Sequence, residues 1–390
     1  MPRLLHMADV HLGARHHDLG QAAAEQRERQ FDAFRRALEL ALQEHVDVVL
    51  IAGDLFDSNQ QPRRSVERAA VELGRIPAAG GRVVLIPGTH DVYDHSSLYR
   101  IHDLAALAGV QPGSDGLVVL TPERPEVVYP GLGLAVFGRV FDTKRAPRSP
   151  LAGFSAAEES RVTWRVGLVH GSLRIEGKVP DDDVLFTAEE IAASGLDYLA
   201  LGHWHSFQQG KAGATIWAYA GAPEPVAVDQ DGAGQVVLVD LDETAGVKTV
   251  RLEARRIGRT QFLRLDVDAA EVAGQPALAE RIRAHADPDL VIDVRLVGVE
   301  PDTLDINEDE LERQVGGAFL RYRFRNAATP AASDGPPPPA DTIPGAFVRD
   351  LEGRIAAADA AGQADEAAEL REALRLGRIL LDDPSRVTLV

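Results

Sequence analysis

The stretch Arg82-Val83-Val84-Leu85-Ile86-Pro87-Gly88-Thr89-His90-Asp91 decides the fold. Its first five residues are a β-branched apolar run suited to a strand buried on both faces, and the rest is a glycine turn loaded with polar side chains. The same grammar occurs twice upstream. A short apolar run over residues 3–8 ends in Asp9-Val10-His11, and Val46-Asp47-Val48-Val49-Leu50-Ile51-Ala52 ends in Gly53-Asp54-Leu55-Phe56-Asp57. Between these runs lie helical spacings, with Phe31, Phe34, Leu38 and Leu42 across about 23–44 and a second stretch near 63–76. The order β-α-β-α-β predicts a parallel sheet with helices packed on its faces.

From about 117 to 252 strand signals dominate, at 133–138, 166–170, 198–202, 216–220, 235–241 and 248–252. Two of these runs also end in polar residues, Val169-His170-Gly171 and Gly202-His203-Trp204-His205. Their shorter connections predict a second sheet stacked on the first, so the expected class is α/β, a layered α/β/β/α sandwich. Residues 259–327 predict a small α+β unit, with strands at 261–266 and 290–296 around a helix near 276–286. Residues 328–344 contain Gly335-Pro336-Pro337-Pro338-Pro339 and read as a proline-rich linker. Beyond it, 345–390 begins with two helices, one carrying Phe347, Leu351 and Ile355, the other Leu370, Leu374 and Ile379 to Leu381. An amphipathic pair after a linker suits docking on a partner; a packed hairpin suits the same spacing. The expected domains are therefore 1–258, 259–327, 328–344 and 345–390.

The 390 residues include no cysteine, which excludes a disulfide framework and a thiolate metal site. No run of about 18 apolar residues occurs, so no membrane partner is expected. The N-terminus runs straight into a strand pattern without a signal-peptide apolar region, and a cytoplasmic protein is the expectation. The net charge of −19 runs against a nucleic-acid partner, because phosphate neutralisation needs a basic surface. DNA binding would rest on bound cations, on a basic partner, or on local patches such as Arg63-Arg64, Arg139 with Lys144-Arg145 and Arg148, or Arg255-Arg256 with Arg259.

In open α/β sheets ligands bind beyond the carboxyl ends of the strands, and here five strand ends carry histidines and aspartates. Carboxylates with imidazoles suit a pair of divalent ions such as Mn²⁺, Fe²⁺ or Zn²⁺. In Asp9-x-His11 and His203-x-His205, residues two apart on an extended chain would point the same way.

These motifs resemble the calcineurin-like metallophosphoesterases, whose pattern is D-x-H, G-D-x-x-D, G-N-H-D, a single histidine, then G-H-x-H. Within that superfamily the chain resembles the SbcD-type DNA exonuclease subunit and its YhaO-like relatives. The features that carry this are His6-Met7-Ala8-Asp9-Val10-His11-Leu12-Gly13, Gly53-Asp54-Leu55-Phe56-Asp57 and Tyr219-Ala220-Gly221-Ala222-Pro223-Glu224-Pro225. Residues 259–327 are similar only in position to the capping domain of that group. The resemblance implies that Asp9, His11 and His205 hold one metal, that Asp54 bridges, and that His170, His203 and the residue at 89 hold the second. Mn²⁺ is the metal it implies. It gives His90 the departing 3′-oxygen to stabilise or protonate, with Asp91 orienting His90. His17, Arg63 and Arg64 are the candidates for contact with substrate phosphate. Where the family has asparagine this chain has Thr89, whose hydroxyl reaches less far and donates more poorly to a cation.

The implied function is a metal-dependent DNA nuclease, exo- and endonucleolytic, processing double-strand breaks in repair and recombination. Its partner would be an SbcC-type coiled-coil ATPase bound through the C-terminal helices; a homodimer is compatible with this. The alternatives are a phosphodiesterase or phosphatase acting on a small molecule or protein, and a scaffold whose site is weakened at Thr89.

Overall fold

The three apolar runs form adjacent parallel strands. β1 (Arg3–Met7) pairs with β2 (Val48–Ala52), β2 with β3 (Arg82–Ile86), and β3 with the short β4 (Leu117–Val119). The structure is a computed structural model that describes residues 1–145, 148–156, 162–174, 184–225, 230, 232–300, 304–330, 336 and 338–382. Helices α1 (Ala23–Gln43) and α2 (Arg63–Ala78) make the crossovers. They lay Phe31, Phe34, Leu38, Val66 and Leu73 on the sheet face formed by Leu5, Val49, Ile51, Val83 and Leu85. Side chains as large as Phe34, removed from water completely, each stabilise the layer by roughly 1.5–3 kcal/mol. Two short helices, α3 (Leu98–Ile101) and α4 (Leu104–Leu107), follow β3.

A second sheet is built from β5 (Glu126–Tyr129), β6 (Leu134–Arg139), β7 (Trp164–His170), β10 (Tyr198–Gly202), β11 (Gln208–Ala212) and β12 (Thr215–Tyr219), in the order β11-β12-β10-β7-β6-β5. The minor pair β8 (Ser172–Leu173) and β9 (Leu185–Phe186) lies beside it in sequence. The hairpin β13 (Gln235–Thr244) and β14 (Val247–Arg256) returns to the first sheet, β13 running antiparallel to β1. Apolar residues of both sheets share one core, in which Leu4, Leu50 and Val84 meet Val166, Leu168 and Ala200. α5 (Ala188–Ala193) packs Ile191 against Leu199 and Leu201 on the outer face of the second sheet. The layers are therefore α/β/β/α, as the strand order predicted. His6 points into the inter-sheet core, its Nδ1 2.8 Å from the Tyr198 hydroxyl. Burial drives its pKa down to about 3, so it is a neutral packing residue.

The chain divides into two compact units, Met1–Thr260 and Gln261–Val390. In the second, β15 (Gln261–Asp268), β16 (Asp287–Val297) and β18 (Phe319–Asn326) form a parallel sheet, and β17 (Val299–Glu300) pairs with β19 (Thr329–Pro330). α6 (Gln275–Arg283) and α7 (Glu308–Val315) cover one face of the sheet through Leu278, Ile282, Leu311 and Val315. Part of the proline-rich run, residues 331–335 and 337, lies outside the described residues. α8 (Ile343–Ala360) opens with Thr342 Oγ1 accepting from Gly345 N at 3.1 Å and pairs with α9 (Ala364–Asp382). Phe347, Leu351 and Ile355 turn onto Leu370 and Leu374, and a Cβ at Gly377 would fall 2.3 Å from the Phe347 ring. The two helices thus pack on each other as a hairpin, the alternative that the spacing also allowed, while Ile343 and Leu381 remain exposed. Among the described residues no helix is long and apolar enough to cross a membrane.

Candidate metal centre

The loops after β1, β2, β3, β7 and β10 are bound to one another by their own polar groups. Asp9 N donates to Gly53 O at 3.1 Å and His11 N to Asp54 O at 3.0 Å. The Asp9 carboxylate accepts His203 N at 3.0 and 3.1 Å, and Asp54 Oδ1 accepts His90 N at 2.7 Å. Within this lattice His170 Nε2 lies 3.1 Å from Asp54 Oδ2, and His11 Nε2 lies 3.2 Å from His205 Nε2. His170 Nδ1 donates to Ala52 O at 2.9 Å, which leaves its Nε2 lone pair for a ligand on the Asp54 side.

The geometry differs from the extended chain expected of Asp-x-His. Asp9, His11, Asp54 and His203 all have left-handed backbones, with φ of 53°, 49°, 50° and 104°. Each such residue costs about 1–3 kcal/mol unless its surroundings over-determine it, and here the interloop hydrogen bonds do so. Asp9 and His11 therefore converge through turned backbone, not through strand alternation. Two glycines make the close approach feasible. A Cβ on Gly53 would fall 2.3 Å from His170 Nδ1, and one on Gly88 would fall 2.3 Å from Asp54 Oδ1.

Charge in the metal-free cluster is balanced by protons. For Asp54, burial favours the neutral acid, but His170, His11 and His90 overcome it and hold the carboxylate well below its usual range. For His170, burial opposes the charged form; Asp54, then Asp9 and the Ala52 carbonyl, overcome it and raise the pKa to about 10. His11 is likewise raised, burial being outweighed by Asp57, Asp54 and Asp9, whereas burial lowers His205. Two donor groups bring one ligand atom per residue within 4.8 Å of each other: Asp9, His11 and His205, and Asp9, Asp54 and His170. Buried carboxylates with imidazoles of set orientation fit hard to borderline divalent ions. Asp9 is common to both groups, while Asp54 Oδ2 also stands 3.9 Å from His11 Nε2. His203 belongs to neither group, although its ring centroid is 5.2 Å from that of His170.

Ions and protons compete for these atoms. Because the folded pKa of His170 lies above 6.5, its proton stabilises the metal-free fold fully below that value and is lost as pH rises toward 10. Metal affinity should therefore increase with pH, by up to about tenfold per unit for each proton expelled. Calorimetry at pH 7.5 in two buffers of different ionisation enthalpy should register about one released proton or more. Equal heats in both buffers would contradict the assignment of His170.

The remaining predicted residues divide. Thr89 does reach the site, its Oγ1 3.4 Å from Asp54 Oδ2 and 3.5 Å from His170 Nε2. His90 stands at the rim, 49% exposed, with its ring centroid 4.6 Å from that of His11. Asp91 does not orient His90. Its oxygens accept from Gly88 N at 2.7 Å, Phe56 N at 3.1 Å and the Tyr99 hydroxyl at 2.6 Å, so it holds the loop from beneath. Burial, with Asp54 nearby, raises the Asp91 carboxyl to about 6. The residue that orients His90 is Asp57, whose carbonyl accepts from Nδ1 at 3.0 Å. Asp57 also places Oδ1 3.4 Å from His11 Nδ1, and His11, Asp57 and His90 form a third group with metal-ligand spacing. His17 begins a 3₁₀ turn, and its side chain lies outside the described residues. Arg63 is paired with Glu67 at 2.7 Å, whereas Arg64 lines a cleft with Leu12, Gly13, Arg27, Phe31 and Arg68. Gln230, which no sequence motif marks, places its Nε2 2.5 Å from His205 Nδ1; only spatial adjacency reveals it.

The DNA double-strand break repair protein Mre11 of Aeropyrum pernix is 30% identical over 282 residues, covering 70% of this chain and 64% of that protein. Mre11 of Saccharolobus solfataricus is 25% identical over 225 residues, covering 57% of this chain and 55% of that protein. The uncharacterized metallophosphoesterase YhaO of Bacillus subtilis is 24% identical over 289 residues, covering 71% and 66%. The chain thus spans less than two thirds of the length of the two Mre11 relatives. The calcineurin-like phosphoesterase pattern matches residues 2–207, more than half of the 390, and takes in every motif of the cluster. By its layered sheets, its five converging loops and this match, the chain belongs to the calcineurin-like phosphoesterase family.

Proposed function

We propose that this chain hydrolyses phosphodiester bonds at DNA ends with Mn²⁺ as its metal, and serves double-strand break repair beside a coiled-coil ATPase. The observation that carries the reading is the convergence of Asp9, His11, Asp54, His170 and His205, with His90 partly exposed at the rim. Likeness to Mre11 supplies the choice of DNA. Bound ions would polarise the phosphoester and offset the charge that builds on it. With Nδ1–H donated to the Asp57 carbonyl, His90 entering as imidazolium would give its Nε2 proton to the departing oxygen and leave as the neutral ring. Arg64, next to the Leu12-Gly13 wall of the metal loop, is the side chain best placed to hold a strand's phosphate; Arg63 is committed to Glu67.

The test is the purified full chain with Mn²⁺, given linear duplex DNA or bis-p-nitrophenyl phosphate. Cleavage of DNA is expected. Hydrolysis of the small ester alone would favour a small-molecule phosphodiesterase. Neither reaction, with metal bound, would favour the scaffold reading that the long Thr89 contacts support. Arg64→Ala should weaken DNA binding and reduce the log–log salt slope by about 1. An unchanged slope in a binding titration removes Arg64 from the DNA path.

A further inference from the structure

The segment that carries Gln230 is tied to the backbone of the second histidine loop. Ala222 N donates to His205 O at 2.8 Å, Phe207 N to Gly232 O at 3.3 Å, and Ala233 N to Gln230 O at 3.1 Å. At Gly221, where φ is 76°, a Cβ would fall 2.6 Å from His205 O, so the two chains pass with nothing between them. The Gln230 amide nitrogen, Nε2, lies 2.5 Å from His205 Nδ1. The other ring nitrogen, Nε2, faces His11 Nε2 at 3.2 Å, within the donor group of Asp9, His11 and His205.

A neutral imidazole carries one N–H. With the proton on Nδ1, Nε2 offers a lone pair to a cation; with it on Nε2, that face is closed to metal. A glutamine amide can meet Nδ1 with either end, because a half-turn exchanges its oxygen and nitrogen. With the nitrogen toward Nδ1, as the amide stands in the structure, it would donate to Nδ1 and hold the ring in the closed form. If the oxygen accepts from Nδ1–H, the ring is locked open.

We propose that Gln230 is a positioning residue of the metal centre, its amide turned by a half-turn from that orientation so that Oε1 accepts Nδ1–H of His205 and Nε2 of the ring is held open toward the ion. The arrangement parallels the one at His170, where the Ala52 carbonyl does the same work. It also completes a line of contacts from Asp57 through His11 and His205 to Gln230. Sequence motifs of the site end at His205, so nothing in the spacing points 25 residues further on.

The inference rests on the metal centre and not on the choice of DNA as substrate. Its test uses the full chain as wild type, Gln230→Met and Gln230→Glu. Mn²⁺ binding is measured by calorimetry at one pH. The tautomer of His205 in the metal-free protein is read by ¹⁵N–¹H NMR, its signal identified by loss in His205→Asn. We expect the Nδ1–H form in the wild type. Gln230→Met, which keeps length and removes the acceptor, should weaken Mn²⁺ binding about 10-fold or more. Gln230→Glu keeps an acceptor and cannot donate, so it should restore affinity close to that of the wild type. Unaltered binding in Gln230→Met overturns the proposal, as does a Gln230→Glu as weak as Gln230→Met. A wild-type His205 with its proton on Nε2 overturns it independently of any variant's folding. These readouts are binding and tautomer, so they stand whether or not the chain cuts DNA.

Discussion

Asp54→Asn is expected to lower phosphodiester hydrolysis on the order of 10³-fold or more, since each 1.4 kcal/mol of lost metal-derived stabilisation is about tenfold. Asp54 is 1% exposed, with Oδ1 engaged by His90 N and Oδ2 3.1 Å from His170 Nε2 and 3.9 Å from His11 Nε2. Asp9 also neighbours both imidazoles, but its carboxylate accepts from His203 N at 3.0 and 3.1 Å. An amide keeps the shape but removes the charge, and its NH₂ must face either the His90 N–H or the His170 ring. Either choice sets donor against donor or blocks a ligand. Metal content by mass spectrometry should fall together with rate, and circular dichroism should show the fold intact. A variant that keeps full metal and full rate would remove Asp54 from the centre.

The second large effect concerns proton transfer. His90→Gln should reduce the rate about 10²–10⁴-fold while leaving metal content unchanged, because a rim imidazole engaged by a backbone carbonyl acts on substrate and not on the ions. The rival arrangement is explicit in the structure, since His11, Asp57 and His90 also have ligand spacing. Metal loss in His90→Gln would favour that grouping and reassign His90 as a ligand. Single-turnover rates with metal analysis on the same sample separate the two outcomes.

Most of the centre was legible because ligation demands particular residue types, and glycines flank them where loops must crowd. Asp9, His11, Asp54, Thr89, His170 and His205 lie close together at the strand ends that carry the motifs, with Asp9, where Asp54 was expected, common to both donor groups. What the sequence could not show was how the backbone brings them there. Left-handed φ at Asp9, His11, Asp54 and His203 is unmarked by glycine, so strand alternation was the natural and incorrect expectation. Asp91 misled for a related reason. Adjacent to His90 in sequence, it points to Phe56 and Tyr99, while Asp57, from another loop, takes the His90 contact. In the fold, the parallel core strands declared themselves through β-branched runs. β11 did not, because Gln208-Gln209-Gly210-Lys211-Ala212 joins the sheet edge through main-chain bonds to β12, and hydropathy carries no sign of them. The hairpin of α8 and α9 was visible as helices, yet which face each would spend on the other depended on packing, as Phe347 over Gly377 illustrates.

The bond from His203 N to the Asp9 carboxylate joins positions 194 residues apart, and it connects the first strand of one sheet to the central strands of the other. Contacts of such separation form late, because the entropy of closing the intervening chain must be overcome before they stabilise anything. A nascent chain on the ribosome therefore holds Asp9, His11 and Asp54 as an incomplete set until β10 and its histidine loop emerge and dock. The donor group of Asp9, His11 and His205 is therefore complete only with the finished sandwich.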